Sequence, residues 1–184
     1  SEQRFQMVHD RYIEFKENGI FIKEDSPTFY VYESSDSLNS FCGIIAATAV
    51  DDYTNGHIKK HEGTIKKREQ LFETYLKATG FNAEPVLLMY EDDVAFDNLL
   101  HTIKRERPEY EFSTTDKDTH VLWVVNDAID IEKIATAFKE IDTLYIADGH
   151  HRSTSSCLLA ERLAKENPKH TGAEDYNFFM SYLL

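Results

Sequence analysis

The chain changes from apolar to polar at the centre of one segment, Tyr145-Ile146-Ala147-Asp148-Gly149-His150-His151-Arg152-Ser153-Thr154-Ser155-Ser156. Residues 143–147 are largely apolar and β-prone, which predicts a short buried strand. Gly149 has no Cβ, so the chain can turn sharply there or approach a ligand closely. From about His151 the leucines and alanines share one helical face, and Pro168 marks the end of that helix. The segment therefore predicts a strand, a tight turn and the first turn of a helix.

The start of this predicted helix carries side chains suited to an anion. The first turn of a helix has unpaired N–H groups and the positive end of the helix dipole. Arg152 can bind two phosphate oxygens at once, and His150, His151 and Ser153 stand beside it in the sequence. Asp148, just before the turn, suits a general base or a metal ligand next to a phosphate. Alternatively, Asp148 is only a helix cap and the histidines are exposed polar residues.

A second segment, His61-Glu62-Gly63-Thr64, has the same kind of position before a predicted helix. Thr64 is a good N-cap for that helix, which covers residues 65–79, and Arg68 lies one turn into it. Glu62 is either a partner of the helix dipole or an acid of a functional site. We expect His61 and Glu62 to line the same pocket as the segment from Asp148 to Arg152, although the two segments are far apart in sequence.

Composition limits the classes of function. The chain has 184 residues, enough for a sizeable core in one domain. Its 20 Lys and Arg against 33 Asp and Glu give a formal net charge of −13, which opposes binding to nucleic acid or to anionic membranes. There is no signal-peptide pattern and no apolar run long enough to span a membrane, so we expect a cytoplasmic protein. Cys42 and Cys157 are interpreted as reduced, structural thiols.

The chain begins at Ser1 rather than Met, directly in a helical pattern, and its last apolar run, residues 177–184, is typical of a strand cut off at its end. We therefore expect residues 1–184 to form a single α/β domain that is a fragment of a longer chain.

Apolar periodicity predicts the other elements. Helices are expected at residues 4–18, 65–79, 94–107, 131–141 and from about 151. Strands are expected at residues 28–33, 41–50, 85–90, 110–115, 120–126, 144–147 and 177–184. Asp130 is the expected N-cap of the fourth helix, and Leu71, Phe72, Tyr75 and Leu76 are expected to face inward from the second. This order predicts a mixed α/β fold in which helices pack on a mixed sheet with antiparallel pairs.

Asp148-Gly149-His150-His151-Arg152 resembles the phosphate-binding signature of the ParB/sulfiredoxin-like superfamily. That superfamily includes chromosome-partitioning nucleotidases, sulfiredoxin and the free-serine kinases, whose motif is the most similar. More of the chain resembles a large family of bacterial and archaeal proteins of unknown function that carries the same Ile-Ala-Asp-Gly-His-His-Arg string. The longer resemblance includes the His61–Thr64 segment, Arg68 and residues 85–90.

The resemblance implies a small-molecule phosphotransferase acting on an amino-acid or polyol hydroxyl. In that hypothesis the catalytic groups are Glu62, Asp148 and His150, with Glu62 and Asp148 equal candidates for the base. The expected phosphate- or nucleotide-binding residues are His61, Arg68, Gly149, His150, His151, Arg152 and Ser153. Sulfiredoxin chemistry is not expected, because histidines stand where that motif needs a cysteine. The alternative is a regulatory module that binds a nucleotide or phosphometabolite without chemistry.

The sequence also indicates which cofactors to expect. No CxxC or HExxH spacing indicates zinc, and no Walker-type or dinucleotide-type glycine loop occurs. We therefore expect no dedicated metal site, but a Mg²⁺ ion that comes with a nucleotide or pyrophosphate donor and is held by its phosphates and one carboxylate. The expected partner is a small phosphate ligand, with no nucleic acid and no membrane. Donor, acceptor and oligomeric state stay open. Arg152 is expected to be exposed, so that its removal affects ligand binding more than stability.

Overall fold

The computed structural model describes residues 2–184. Its α-helices are α1 (Glu2–Glu17), α2 (Val50–Thr54), α3 (Lys66–Thr79), α4 (Val94–Ile103), α5 (Ala128–Glu140) and α6 (His150–Glu166). Its strands are β1 (Phe29–Ser35), β2 (Ser40–Ala49), β3 (Ile58–Lys59), β4 (Val86–Met89), β5 (Tyr110–Ser113), β6 (Thr119–Val125), β7 (Leu144–Asp148) and β8 (Phe178–Leu183). A short 3-10 helix at Asp175–Asn177 leads into β8.

The strands of the described residues form one sheet in the order β3-β7-β4-β8-β2-β1-β6-β5. The pairs β3/β7 and β4/β8 are parallel, and the other neighbours are antiparallel. Strands β1 and β2 form the predicted antiparallel hairpin, with Val31 opposite Ile44. The prediction of a mixed α/β fold with antiparallel pairs is confirmed.

The buried core lies on one face of this sheet. Cross-strand register places the following buried side chains side by side on that face: Trp123, Val31, Ile44, Leu183, Leu88 and Ile146. Helix α6 covers the part near β4 and β7 with Cys157 and Ala160. Helices α4 and α5 cover the part near β1 and β6 with Phe96 and Ile134. Burial of this apolar area stabilises the layer of helices on the sheet.

The opposite face of the sheet is open to solvent. Its register positions carry large apolar side chains that are about half exposed: Phe41 53%, Met89 50%, Tyr110 57%, Phe112 57% and Tyr145 47%. Gly43 lies on this face, where a Cβ would come within 2.9 Å of the Tyr182 ring. Within the described residues, α4, α5 and α6 therefore cover one face of the sheet.

One strand was missed and two local predictions were wrong. Ile58–Lys59 pairs in parallel with β7 as an edge strand, and a two-residue strand leaves no periodicity to detect. Helix α3 has Ile65 as its N-cap, because the Thr64 hydroxyl donates to the Glu69 carboxylate instead of capping. Asp127, not Asp130, caps α5, since its side chain accepts two first-turn N–H groups at 2.9 and 3.2 Å.

Helix α3 differs from prediction in what it buries. Leu71 and Phe72 were expected to face inward, but they are 49% and 38% exposed. The helix packs on α6 and α1 rather than directly on the sheet, so only part of its apolar stripe is covered. Tyr75 lies in the covered part, edge-on to Phe5 at 5.3 Å between ring centroids. Leu71 and Phe72 therefore lie on the part of the stripe that neither helix covers.

Candidate functional site

The turn between β7 and α6 requires glycine. Gly149 is the N-cap of α6 and has a left-handed φ of 97°, a conformation that L-residues with a side chain adopt at a cost. A Cβ at this position would lie 3.2 Å from the Val86 Cα atom. The tight turn starts α6 against β4, one residue earlier than predicted, at His150.

Helices α3 and α6 run parallel to each other. Contacts between them pair residues whose numbers rise together along both helices: the Glu69 carbonyl oxygen with the Ser155 hydroxyl (3.1 Å), Glu73 with Arg162 (3.1 Å) and Lys77 with Glu166 (3.5 Å). The two N-terminal ends therefore lie at the same edge of the molecule.

The two helix starts at this edge are electrostatically similar. Among the described residues, neither N-cap, Ile65 of α3 or Gly149 of α6, offers a side-chain cap. The N–H groups of both first turns are thus not occupied by a capping side chain, and two parallel dipoles point their positive ends the same way. Arg68 is exposed in the first turn of α3, where it adds positive charge.

A histidine contact brings the two sequence motifs together. The His61 ring meets the His150 ring edge-on, with 4.5 Å between centroids. His61 is exposed and lies 3.8 Å from the Glu62 carboxylate, whereas His150 is buried, with 8% of its surface exposed. Glu62, also exposed, is close enough to act on the pKa of His150. The loop before α3 and the start of α6 therefore form one site.

Two imidazole nitrogens of this site have no protein partner. His150 Nε2 and His151 Nδ1 are buried and make no hydrogen bond to any atom of residues 2–184. Buried polar atoms are nearly always paired, because an unpaired one costs about 1–3 kcal/mol. The two nitrogens therefore lack the hydrogen-bond partner that buried imidazoles usually have.

The protonation of His150 is set by its surroundings. Burial lowers the pKa of His150, and the neighbouring His61 lowers it further, while Glu62 and Asp148 act in the opposite direction. Since the ordinary histidine value is about 6.5, His150 is neutral at pH 7. A neutral imidazole can accept a proton from a substrate hydroxyl or donate a hydrogen bond to a phosphate oxygen.

Arg152 is not the exposed side chain that the sequence predicted. Its guanidinium donates to the Pro85 carbonyl oxygen. It also donates to the Asp148 carboxylate, at 2.7 Å, and lies 3.5 Å from the Glu84 carboxylate. It also folds back against Gly149, so that only 24% of the side chain is exposed. Arg152 therefore ties the start of α6 to the strand ends beside it, and Asp148 is engaged as its partner.

The hydroxyls behind the helix start are also engaged. Ser153 is fully buried and its hydroxyl donates to the carbonyl oxygens of His150 at 3.0 Å and Gly149 at 3.3 Å. The next three hydroxyls likewise donate to carbonyls one turn back: Thr154, Ser155 and Ser156. Ser153, a predicted phosphate contact, therefore has its hydroxyl hydrogen-bonded inside the helix.

Sequence reasoning missed the residues that hold Arg152. Glu84 and Pro85 come immediately before β4, and nothing in their sequence signals a contact with a helix some 65 positions later. It also missed a cleft of about 250 Å³ beside Arg152, lined in part by Phe72 and Tyr75 of α3.

Two properties complete the description. Within residues 2–184, no group of three or more His, Cys, Asp or Glu side chains is arranged to hold a metal ion. None of the helices in the described part of the chain has the length and apolarity needed to cross a membrane.

The family follows from the sequence as a whole. A family model described as a protein of unknown function, DUF1015, matches residues 1–184. The chain belongs to the DUF1015 family. The expected membership of a family of unknown function is thus confirmed, whereas the family's Ile-Ala-Asp-Gly-His-His-Arg motif and the resemblance to the ParB/sulfiredoxin-like superfamily stay predictions. Comparison with curated proteins and with solved structures gave no match.

Proposed function

We propose that the edge formed by His61, His150 and His151 binds phosphate groups, and that the protein is the phosphate- or nucleotide-binding part of a small-molecule phosphotransferase. The observation that carries the proposal is the 4.5 Å contact between His61 and His150 at two parallel, uncapped helix starts. The unpaired nitrogens of His150 and His151 support it. In a protein with a net charge of −13, such a local cradle favours a small anion over nucleic acid.

The proposed chemistry transfers a phosphoryl group to the hydroxyl of an amino acid or polyol. The N–H groups at the start of α6 and the imidazoles hold the phosphoryl group. A base takes the hydroxyl proton as the new oxygen–phosphorus bond forms, and the donor leaves with the electrons of the broken phosphorus–oxygen bond. His150 and Glu62 fit the base better than Asp148, because Asp148 is paired with Arg152 at 2.7 Å. Mg²⁺ carried with the donor would supply charge neutralisation.

The second candidate is a module that binds a nucleotide or phosphometabolite without chemistry. The pairing of Asp148 with Arg152 favours it, since it removes one of the two acids that the motif offers as a base. Both candidates share the ParB/sulfiredoxin-like phosphate site at the start of α6 and differ in turnover alone.

Binding and turnover separate these possibilities. Isothermal titration with pyrophosphate, ADP and ATP, each with Mg²⁺, measures binding, and ³¹P NMR with serine and glycerol as acceptors measures transfer. We expect His150→Ala to weaken binding about 10- to 100-fold, because a hydrogen bond to a charged group is lost. His101→Ala is the matched control, because His101 is exposed on α4.

Transfer to a hydroxyl acceptor supports the enzyme, and His150-dependent binding without transfer supports the regulatory module. The proposed site is refuted if none of the three ligands binds, or if the His150 and His101 variants bind them equally.

A further inference from the structure

A cleft of about 250 Å³ borders the start of α6 on the side of Arg152. It lies between α3 and the loop that leads into β4. The side chains that matter for its chemistry are Phe72, Tyr75, Leu76, Asn82, Glu84 and Arg152. The cleft thus shares Arg152 with the helix start that carries the two unpaired imidazoles.

One wall of the cleft is aromatic and apolar. Phe72, Tyr75 and Leu76 are spaced three and four positions apart, which places them on one face of α3. Phe72 remains 38% exposed, although its position in the apolar stripe predicts burial. An exposed aromatic ring beside a concave surface is typical of a ligand contact.

The other wall is polar and neutral overall. Arg152 and Glu84 lie 3.5 Å apart, so their opposite charges offset each other in the cleft. The Asn82 amide offers both donors and an acceptor. Because the Glu84 carboxylate repels anions, this cleft does not suit the phosphates themselves.

We propose that the cleft binds the planar base of a nucleotide whose phosphates lie at the start of α6. This inference rests on the proposed function and adds the ligand class. Aromatic rings and an arginine plane stack on any base, and an amide with a carboxylate can hydrogen-bond a base edge. A cavity near 250 Å³ is smaller than the roughly 300–1,000 Å³ that encloses a whole ligand, so it suits one ring of a ligand that extends outside.

A nucleotide and inorganic tripolyphosphate both carry a triphosphate, so the difference between their affinities reports the contribution of the nucleoside. Isothermal titration compares ATP, GTP and CTP with inorganic tripolyphosphate, each with Mg²⁺, on the intact chain. We expect at least one nucleotide to bind roughly 10-fold or more tightly than tripolyphosphate. Phe72→Ala should remove that preference and leave tripolyphosphate affinity unchanged, whereas Phe72→Trp should keep it.

Leu71→Ala is the matched control, because Leu71 is exposed on the same helix and does not line the cleft. Each variant is checked for an unchanged Tm. The inference is overturned if all three nucleotides bind no more tightly than tripolyphosphate, or if Phe72→Ala weakens both kinds of ligand equally. In either case the proposed function stands as long as tripolyphosphate binding depends on His150. If neither nucleotides nor tripolyphosphate bind, the inference and the proposed function both fail.

Discussion

Replacing Arg152 by alanine tests whether this side chain holds the fold as well as the site. The guanidinium joins three parts of the chain: the end of β7 through Asp148, the start of α6 through its own backbone, and the approach to β4 through Pro85 and Glu84. Its removal leaves the partly buried Pro85 carbonyl without this donor and uncovers Gly149. We therefore expect Arg152→Ala to destabilise the protein, contrary to the expectation from sequence.

The size of the effect follows from the exposure of each partner. Asp148 and Glu84 are both 74% exposed, so their ion pairs with Arg152 contribute about 0–1 kcal/mol each. The bond from the guanidinium to the Pro85 carbonyl contributes more, about 1.5–3 kcal/mol before partial solvation is considered. A loss of about 2 kcal/mol in the free energy of unfolding is expected, or roughly 4–8 °C in Tm for a chain of this size.

Differential scanning calorimetry at low and high salt measures this loss. Salt screens exposed ion pairs but leaves the carbonyl bond nearly intact, so the Tm difference should persist at high salt. Arg162→Ala is the matched control, because within residues 2–184 Arg162 contacts the Glu73 and Glu166 carboxylates and no backbone carbonyl. A clearly smaller Tm decrease is expected for it. The reasoning is refuted if Arg152→Ala leaves Tm unchanged, or if its effect disappears in salt.

Three further predictions concern individual side chains or glycines and can each be measured on the intact chain. Gly149→Ala should lower the free energy of unfolding, measured in urea, by about 1–3 kcal/mol, because Gly149 has a left-handed φ and close neighbours. Gly63→Ala is the control and should change little, because the space around Gly63 is open. Equal effects would show that a side chain does not strain the turn. Burial raises the pKa of the Cys42 thiol to about 11 and that of Cys157 to about 12. Both thiols should therefore react slowly with a disulfide reagent at mildly alkaline pH, and rapidly once urea unfolds the protein. Fast reaction of the native protein would contradict their buried placement. Burial lowers the pKa of His150 in the folded state, so its contribution to stability is complete above the pKa of the unfolded state, about 6.5, and is lost as pH falls through the lower pKa of the folded state. His150→Gln should therefore flatten that part of the curve of stability against pH. An unchanged curve would show that His150 titrates normally.

Local patterns predicted most elements because each pattern lies within one element. The β1–β2 hairpin and α6 were found in this way. Strand order was not accessible, since β8 inserts between β2 and β4 through pairing between distant segments. The exposure of Phe72 was also not accessible, because periodicity shows that a helix has an apolar stripe but not how much of it a neighbour covers.

The candidate site was predictable in location more than in detail. The motif from Asp148 to Arg152 indicated a helix start at a strand end, which the structure has. The sequence did not show that Arg152 turns back onto Gly149, because its acceptors come from another part of the chain. The hydroxyl of Ser153 turned inward for a local reason, since a serine in a helix can donate to the carbonyl one turn back.

These details change how the edge would hold a phosphate. With Arg152 already balanced by Asp148 and Glu84, a bound anion would have to compete with two carboxylates for the guanidinium. The groups free of such competition are the first-turn N–H groups of α6 and the two unpaired imidazole nitrogens. The N–H groups are dipoles, and the lowered pKa of His150 keeps that ring uncharged at neutral pH. Attraction would then rest on directed, preorganised hydrogen bonds, which favour a small anion of matching shape over any extended negative surface.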